Sequence, residues 1–461
     1  MATVIDTLIS NARIAQQEIE FWTQERVDEM VLSVGWENYK LENAQEIARL
    51  AVDETGMGVY EHKVAKHQNK TFGVLRDLRN VRTVGVIEED KEKGIVKIAK
   101  PVGVIGALTP VTNCEATLSV KALYALKTRN AIIFAPHPRA KKTAKLVCEK
   151  IWNGLAKVNA PINLVQTIEE PSIDLSQELM RKVDLVVATG GGPMVKAAYS
   201  SGTPAYGVGA GNAVVIVDET ADLVAAAEKI RIGKCFDNAT SCSSENSVVI
   251  QTNVYDRMII ELRKQGGYFC NESEREKLQK AMWPDGIHLS KDIVAQPVEK
   301  IASLAGIEVP ADTKFIMIEG KTIEETNPFC KEKLSLVLTI WKYDEFEEAI
   351  QMVEEITSFN GRGHSCGIHT TNEMRIIELA MRVKVSRIMV NQSQSLGNSG
   401  NFNNGMPFTL TLGCGSWGGN ITSENITWKH FLNTTWVSKP IDVNRPSDEM
   451  IFGGYWKKFG K

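Results

Sequence analysis

Cys242 stands in the run Lys234-Cys235-Phe236-Asp237-Asn238-Ala239-Thr240-Ser241-Cys242-Ser243-Ser244-Glu245, just before the strand-like segment 246–251. An apolar anchor and polar turn formers there can present a lone thiol at the end of a helix or strand, where local dipoles favour thiolate. A thiolate facing a cleft attacks carbonyl carbon, whereas a free cysteine buried as a small hydrophobe does not. Two glycine stretches could hold a ligand beside it. Gly190-Gly191-Gly192-Pro193-Met194 follows a strand-like run and opens a helix, and backbone amides at a helix start suit phosphate. Gly207-Val208-Gly209-Ala210-Gly211-Asn212 offers either a bare backbone surface for a planar cofactor or a plain turn.

The elements that must position these residues follow from periodicity. The 461 residues, 43% of them hydrophobic, suffice for two or more cores. A formal net charge of −3 with no dense Lys/Arg block predicts no nucleic-acid partner. The eight cysteines show no CxxC pair and no Cys/His metal spacing, which predicts no metal site and a reducing cytoplasm. No charged leader precedes an apolar region, and no apolar run approaches about 20 residues, so a soluble cytoplasmic protein without a membrane partner is expected. Residues 1–80 read as helices, with Ile5, Leu8, Ile9, Ala12, Ile14 and Ile19 forming a stripe. Gly94–Lys100 alternates as a strand.

Apolar strands at 102–108, 131–135, 162–168, 185–189 and 213–217 then alternate with helices, among them 116–127 and 139–152. That pattern predicts α/β architecture with a parallel sheet covered on both faces, and ligands at the carboxyl ends of its strands. Thr109-Pro110-Val111-Thr112-Asn113, Pro136-His137-Pro138 and Thr189–Pro193 would then surround one crevice. A second alternation, with strands at 246–251, 334–341, 365–369 and 387–390, begins after Cys242. The expected division is 1–235 for cofactor binding, 236–430 for catalysis and a tail at 431–461.

Four further segments strengthen the pattern: Ala188–Gly202, Gly207–Asn212, Phe236-Asp237-Asn238…Cys242 and Phe329…Glu332-Lys333-Leu334-Ser335. With Gly363-His364-Ser365 and Thr411–Asn420 they resemble the CoA-acylating branch of the aldehyde dehydrogenase superfamily. The likeness is to the aldehyde dehydrogenase half of bifunctional aldehyde–alcohol dehydrogenases, over roughly residues 40–435. One departure is Gly-Gly-Gly-Pro where that family usually has Gly-Gly-Pro-Gly. The resemblance implies an aldehyde dehydrogenase fold, with a Rossmann-like cofactor domain, an α/β catalytic domain and a small β oligomerisation element. That element would combine the 94–100 strand with the tail and pair subunits into a homodimer or homotetramer.

The resemblance also implies roles. Cys242 would attack the aldehyde and carry a thioester that coenzyme A resolves. Asn113 would help form an oxyanion hole, or else only cap the following helix. His364 would accept a proton, or merely bond a carbonyl. Glu332 would hold the cofactor ribose, or be a solvated charge. Thr109, Pro110, His137, Pro138, Arg139, Gly190, Gly191, Gly192, Gly207 and Gly209 would contact NAD or NADP. Arg139, Lys141 and Lys142, with no acid nearby, suit the 2′-phosphate of NADP. No glutamate stands in 207–211, where hydrolytic relatives keep the base that activates water, so thiolysis is favoured over hydrolysis.

Amides and hydroxyls crowd 391–395 and 397–405, and Arg362 lies two residues before His364. Unpaired amides are costly around an apolar aldehyde, so Arg362, Asn391, Gln392 and Asn403 point to an anionic head group. The stretch Gly400-Asn401-Phe402-Asn403-Asn404-Gly405-Met406-Pro407-Phe408 also resembles acylating sulfoacetaldehyde dehydrogenases, which implies sulfoacetaldehyde as the expected substrate. An acetaldehyde or propanal enzyme with a polar surface loop is the alternative, and an inactive scaffold a remote one.

Overall fold

The computed structural model describes residues 3–461. Four helices, Val4–Ile19, Gln24–Tyr39, Leu41–Thr55 and Tyr60–Leu78, come first. Thr3 and Asp6 close a capping box at the start of the first helix. Its stripe faces inward through Ile5, Ile9, Ala12 and Ile19, but Ile14 is 65% exposed. Nine residues at 3.6 per turn carry Ile14 to roughly the opposite side from Ile5. Ala15 and Gln16 take the inward place instead.

The first sheet has five parallel strands in the order Val165–Thr167, Ala131–Pro136, Val104–Thr109, Leu185–Thr189, Ala205–Val208. The earliest strand is central, and succession runs outward first to one side and then to the other. A crevice therefore opens at its carboxyl end, beside Thr109. The helix Cys114–Lys127 that follows is buried along its whole length. Its Lys121 ammonium is satisfied by the carbonyls of Leu108 and Val187, 2.9 Å from each.

The second sheet has seven parallel strands in the order Gly267–Phe269, Phe315–Glu319, Val337–Tyr343, Glu245–Gln251, Ala213–Val217, Cys366–His369, Ile388–Val390. Ala213–Val217 belongs here, paired with Glu245–Gln251 and Cys366–His369, and not to the first sheet. The chain thus changes sheets across residues 209–212 rather than near 235. A short apolar run buried on both faces reads the same in either sheet, and only pairing separates them. The chain later returns. Phe408, Ile426 and Phe431 join the core of the first sheet, and the Tyr124 hydroxyl donates to the Phe408 carbonyl. Residues 408–431 therefore do not stay with the second sheet, as a boundary at 430 would require.

A third sheet is antiparallel, with Ile95–Pro101 between Gly85–Asp90 and Leu432–Ser438. The expected strand and the tail do pair. The partner Gly85–Asp90 and the helix Asp448–Phe459, which has no buried residue, are additions the periodicity did not indicate. Among the described residues, no helix is long and apolar enough to cross a membrane.

Opposite faces of the first helix should respond differently to substitution. Ile5→Ala is expected to cost about 2–5 kcal/mol, and Ile14→Lys no more than about 0.5 kcal/mol. Chemical-denaturation midpoints of the two variants check this, and equal shifts would overturn the facing.

Candidate active site

The loop before Cys242 turns through three successive left-handed residues, Asp237, Asn238 and Ala239, with φ of 52°, 52° and 59°. Side-chain-bearing residues hold such angles only where their surroundings over-determine them. Here the surroundings are ionic. The Asp237 carboxylate accepts from the Val59 N–H at 2.8 Å, Lys66 Nζ at 2.7 Å, Lys63 Nζ at 3.2 Å and Thr240 Oγ1 at 2.8 Å. Glu115 completes the group, 2.8 Å from Lys66 Nζ and 3.7 Å from Lys63 Nζ. All four side chains are buried, and two ammonium groups balance two carboxylates. Burial opposes charge on Asp237 and Glu115, yet the two lysines hold both carboxyls below their usual range.

Lys66 also donates to Asn113 Oδ1 at 2.7 Å. An ammonium can only donate, so this bond fixes which end of the amide is oxygen. Asn113 Nδ2 consequently turns toward the Thr240 carbonyl, 3.3 Å away. Asn113 occupies the N-cap position of Cys114–Lys127, but its side chain makes no capping bond. That amide is left for the loop beside Cys242.

Cys242 Sγ lies 3.1 Å from His364 Nε2, and His364 Nδ1 lies 2.9 Å from Ser365 Oγ. His364 therefore bonds a thiol and a hydroxyl rather than a carbonyl. Burial, reinforced by Arg387, pushes His364 down to about 3. Burial, reinforced by Glu332, pushes the Cys242 thiol up to about 12. The resting pair is a thiol and a neutral imidazole, which corrects the thiolate expectation: desolvation here outweighs the local dipoles. Arg387 pins the His364 segment by donating to the carbonyls of His364 at 2.9 Å and Gly413 at 2.7 Å. Backbone approach is equally close on the other side. A Cβ on Gly211 would fall 1.8 Å from the Cys242 carbonyl oxygen, so no side chain fits there.

Two hollows flank this centre. A cleft of about 610 Å³ is lined by Gly192, Lys196, Gly209, Arg362, Cys414 and Trp417, among others. A cavity of about 120 Å³ carries Asn113, Ser241, Ser395, Ser399, Lys66 and Lys70. The first has the size of a site for a large organic ligand, and the second of one for a short molecule. Gly190 and Gly191 lead into the helix Gly192–Tyr199, whose start opens on the cleft. Thr109 ends the central strand with its hydroxyl buried and unpartnered, and Pro110 follows it. These features fit a dinucleotide. Gly207 does not contribute: a Cβ there would meet Val195 at 2.9 Å, so the missing side chain serves helix packing. Cys414 also lines the cleft.

Pro138 starts a short 3-10 turn in which His137 Nδ1 accepts from the Arg139 N–H at 3.1 Å. Two of the basic residues after it, Arg139 and Lys141, are already engaged. Arg139 donates to the Thr55 carbonyl, Lys141 pairs with Glu170, and Glu54 accepts from the Lys142 and Thr143 N–H groups. An acid does therefore stand at this helix start, delivered by Leu41–Thr55 from far away in sequence. Glu332 is not a solvated charge either. It accepts from the Gly211 N–H at 3.2 Å, and burial pushes its carboxyl up to about 8.

The expected substrate contacts are redistributed. Arg362 lines the cleft, not the small cavity. Asn391 exchanges bonds with the Thr370 backbone at 3.0 and 2.9 Å, Gln392 accepts from Asn404 at 2.8 Å, and Asn403 is exposed. Asn391 and Gln392 thus spend their amides on other protein groups, and none of these three lines the cavity.

The aldehyde dehydrogenase family matches residues 2–266, and the chain belongs to that family. It is 53% identical to a sulfoacetaldehyde dehydrogenase of Acholeplasma sp, over 98% of this chain and 94% of that protein. An acylating sulfoacetaldehyde dehydrogenase of Bilophila wadsworthia is 48% identical over 98% of both chains. The fold matches an acetylating aldehyde dehydrogenase from Geobacillus thermoglucosidasius with a TM-score of 0.93 and 36% identity, over 96% of this chain and 98% of that one.

Two measurements probe this geometry. Asp237→Asn leaves two buried ammonium groups facing one carboxylate, at an expected cost of about 3–5 kcal/mol in denaturation free energy. An unchanged midpoint would show that the loop does not need the network. In the ligand-free protein, alkylation of Cys242 should accelerate about tenfold per pH unit from pH 7 to 10 without levelling, because only thiolate reacts. A plateau near neutral pH would reveal a preformed thiolate.

Proposed function

We propose that this chain oxidises sulfoacetaldehyde to sulfoacetyl-CoA, using a nicotinamide dinucleotide and coenzyme A, through a thioester on Cys242. The observation that carries the chemistry is the 3.1 Å contact between Cys242 Sγ and His364 Nε2, beside the oriented amide of Asn113. Cys242 attacks the carbonyl carbon while its proton passes to His364 Nε2, so charge appears only as the bond forms. Asn113 Nδ2 and the Cys242 N–H receive the developing oxyanion. A nicotinamide in the 610 Å³ cleft supplies the hydride acceptor. Gly192 and the start of the helix Gly192–Tyr199 would hold the dinucleotide phosphates, and Gly209 and Glu332 would hold the rest of the cofactor, Glu332 at its ribose.

His364 first releases that proton to solvent, then takes the proton of the coenzyme A thiol as that sulfur attacks the thioester, and returns it to Cys242 Sγ as Cys242 departs. Water competes poorly. Gly211 leaves no room for a side chain against Cys242, and residues 207–211 bear no carboxylate to activate water. A thiol needs less help, since its pKa lies far below that of water. Sulfoacetaldehyde is favoured by the two relatives named for it and by the lysines and hydroxyls around the small cavity. The antiparallel sheet and the exposed Met450, Phe452 and Tyr455 of the tail suit pairing into a homodimer or homotetramer. Eight free cysteines suit a reducing cytoplasm.

Initial rates of NAD(P)+ reduction with and without coenzyme A test this reading. Turnover should require coenzyme A, and Cys242→Ala should abolish it while leaving assembly intact. Sulfoacetaldehyde should exceed acetaldehyde and propanal in kcat/KM by about a hundredfold, or roughly 2.7 kcal/mol. Coenzyme A-independent turnover would mean a hydrolytic enzyme, and equal rates with neutral aldehydes an ordinary acylating one.

A further inference from the structure

Lys70 is the one lysine of the small cavity without a counter-charge. It lies about one turn beyond Lys66 on the helix Tyr60–Leu78 and is 7% exposed. Its ammonium donates to Ser399 Oγ at 2.7 Å, the Ser399 carbonyl at 3.0 Å and the Gly400 carbonyl at 2.8 Å, all neutral oxygens. Among the described residues, no carboxylate lies within 4.0 Å of it, whereas Lys66 has both Glu115 and Asp237. Asp77 is the acid that favours its charge, but Asp77 is bonded to Arg76 at 2.7 Å and accepts the Phe408 N–H at 2.7 Å. Burial, with Lys66 adding repulsion, pushes Lys70 down to about 7. On the same cavity, the Ser395 hydroxyl is buried and has no hydrogen-bond partner.

A buried charge ordinarily has a counter-ion and a buried hydroxyl a partner, and on this cavity wall Lys70 lacks the one and Ser395 the other, which indicates what is meant to fill it. We propose that Lys70, with the Ser395 hydroxyl, seats the anionic head group of the aldehyde in the 120 Å³ cavity. This rests on the anionic-aldehyde reading above and assigns residues to it. A sulfonate brings the missing negative charge beside Lys70 and an acceptor oxygen for the Ser395 hydroxyl. Asn113 and Ser241, the neighbour of Cys242, lie on the same cavity, so a short aldehyde held by its head group keeps its carbonyl near the nucleophile. The preference is built on Lys70 of the helix Tyr60–Leu78 and on a hydroxyl of the polar loop, not on that loop's amides.

Ethanesulfonate, an unreactive anion of the same shape, tests the site apart from turnover. It should inhibit propanal oxidation by the wild-type enzyme competitively, and the uncharged ethyl methyl sulfone should inhibit roughly tenfold more weakly. Lys70→Gln should weaken ethanesulfonate inhibition roughly thirtyfold and lower kcat/KM for sulfoacetaldehyde roughly thirtyfold more than for propanal. Lys70→Arg should restore part of both. Equal losses with the two aldehydes and an unchanged inhibition constant would overturn the assignment. Should Lys70→Gln not fold, wild-type inhibition must weaken as pH rises from about 6 to 8.5, because the ammonium loses its proton over that range. Inhibition independent of pH would also overturn it. If ethanesulfonate inhibits as described but sulfoacetaldehyde is not turned over, the site stands and the choice of substrate above fails.

Discussion

Two lysines and two carboxylates, buried together where the helix Tyr60–Leu78 meets the loop before Cys242, underlie the rest of the site. Each ion alone would be costly away from water, and removing one would strand its partners. Together they tie three remote stretches of chain: the lysine helix, the start of Cys114–Lys127 at Glu115, and the left-handed turn at Asp237. The same Lys66 that closes the network also orients Asn113. Nucleophile loop and oxyanion donor are thus aligned by one electrostatic knot, with neither side chain dependent on its own rotamer preference.

Around that knot the sheets supply direction. Parallel strands from two separate sheets end near one another, and the chain passes between them through Gly211, packed too tightly for a side chain. The pair Cys242 and His364 sits between a wide cleft and a narrow cavity, so in the proposed reading cofactor and aldehyde approach from different sides. The close fit at Gly211 does double service, holding the loop in place and denying a water-activating base a foothold.

Most of the architecture was legible because buried parallel strands are continuous apolar runs, and Leu185–Thr189 emerges with the predicted ends. Strand membership was not legible: Ala213–Val217 carries no mark of the sheet it joins. Cys242, Asn113 and His364 were recognisable from their motifs, and the structure brings them together. The lysines escaped because Lys63, Lys66 and Lys70 look like a solvated face, although their spacing at i, i+3 and i+7 is that of a buried helical stripe. That stripe repeats through His67 and Val74, which was the signal available. The polar loop misled in the opposite way, since amides that bond their own backbone are indistinguishable in sequence from amides that await a ligand.

The protonated state of Cys242 has a consequence for how the protein ages. Peroxide and related oxidants attack thiolate, and the resulting sulfinic and sulfonic acids are not reversed by ordinary thiols. A sulfur that keeps its proton until an aldehyde arrives is a poor target in the intervals between turnovers. The desolvation that makes the pair look chemically quiet therefore also serves as its protection against oxidative loss.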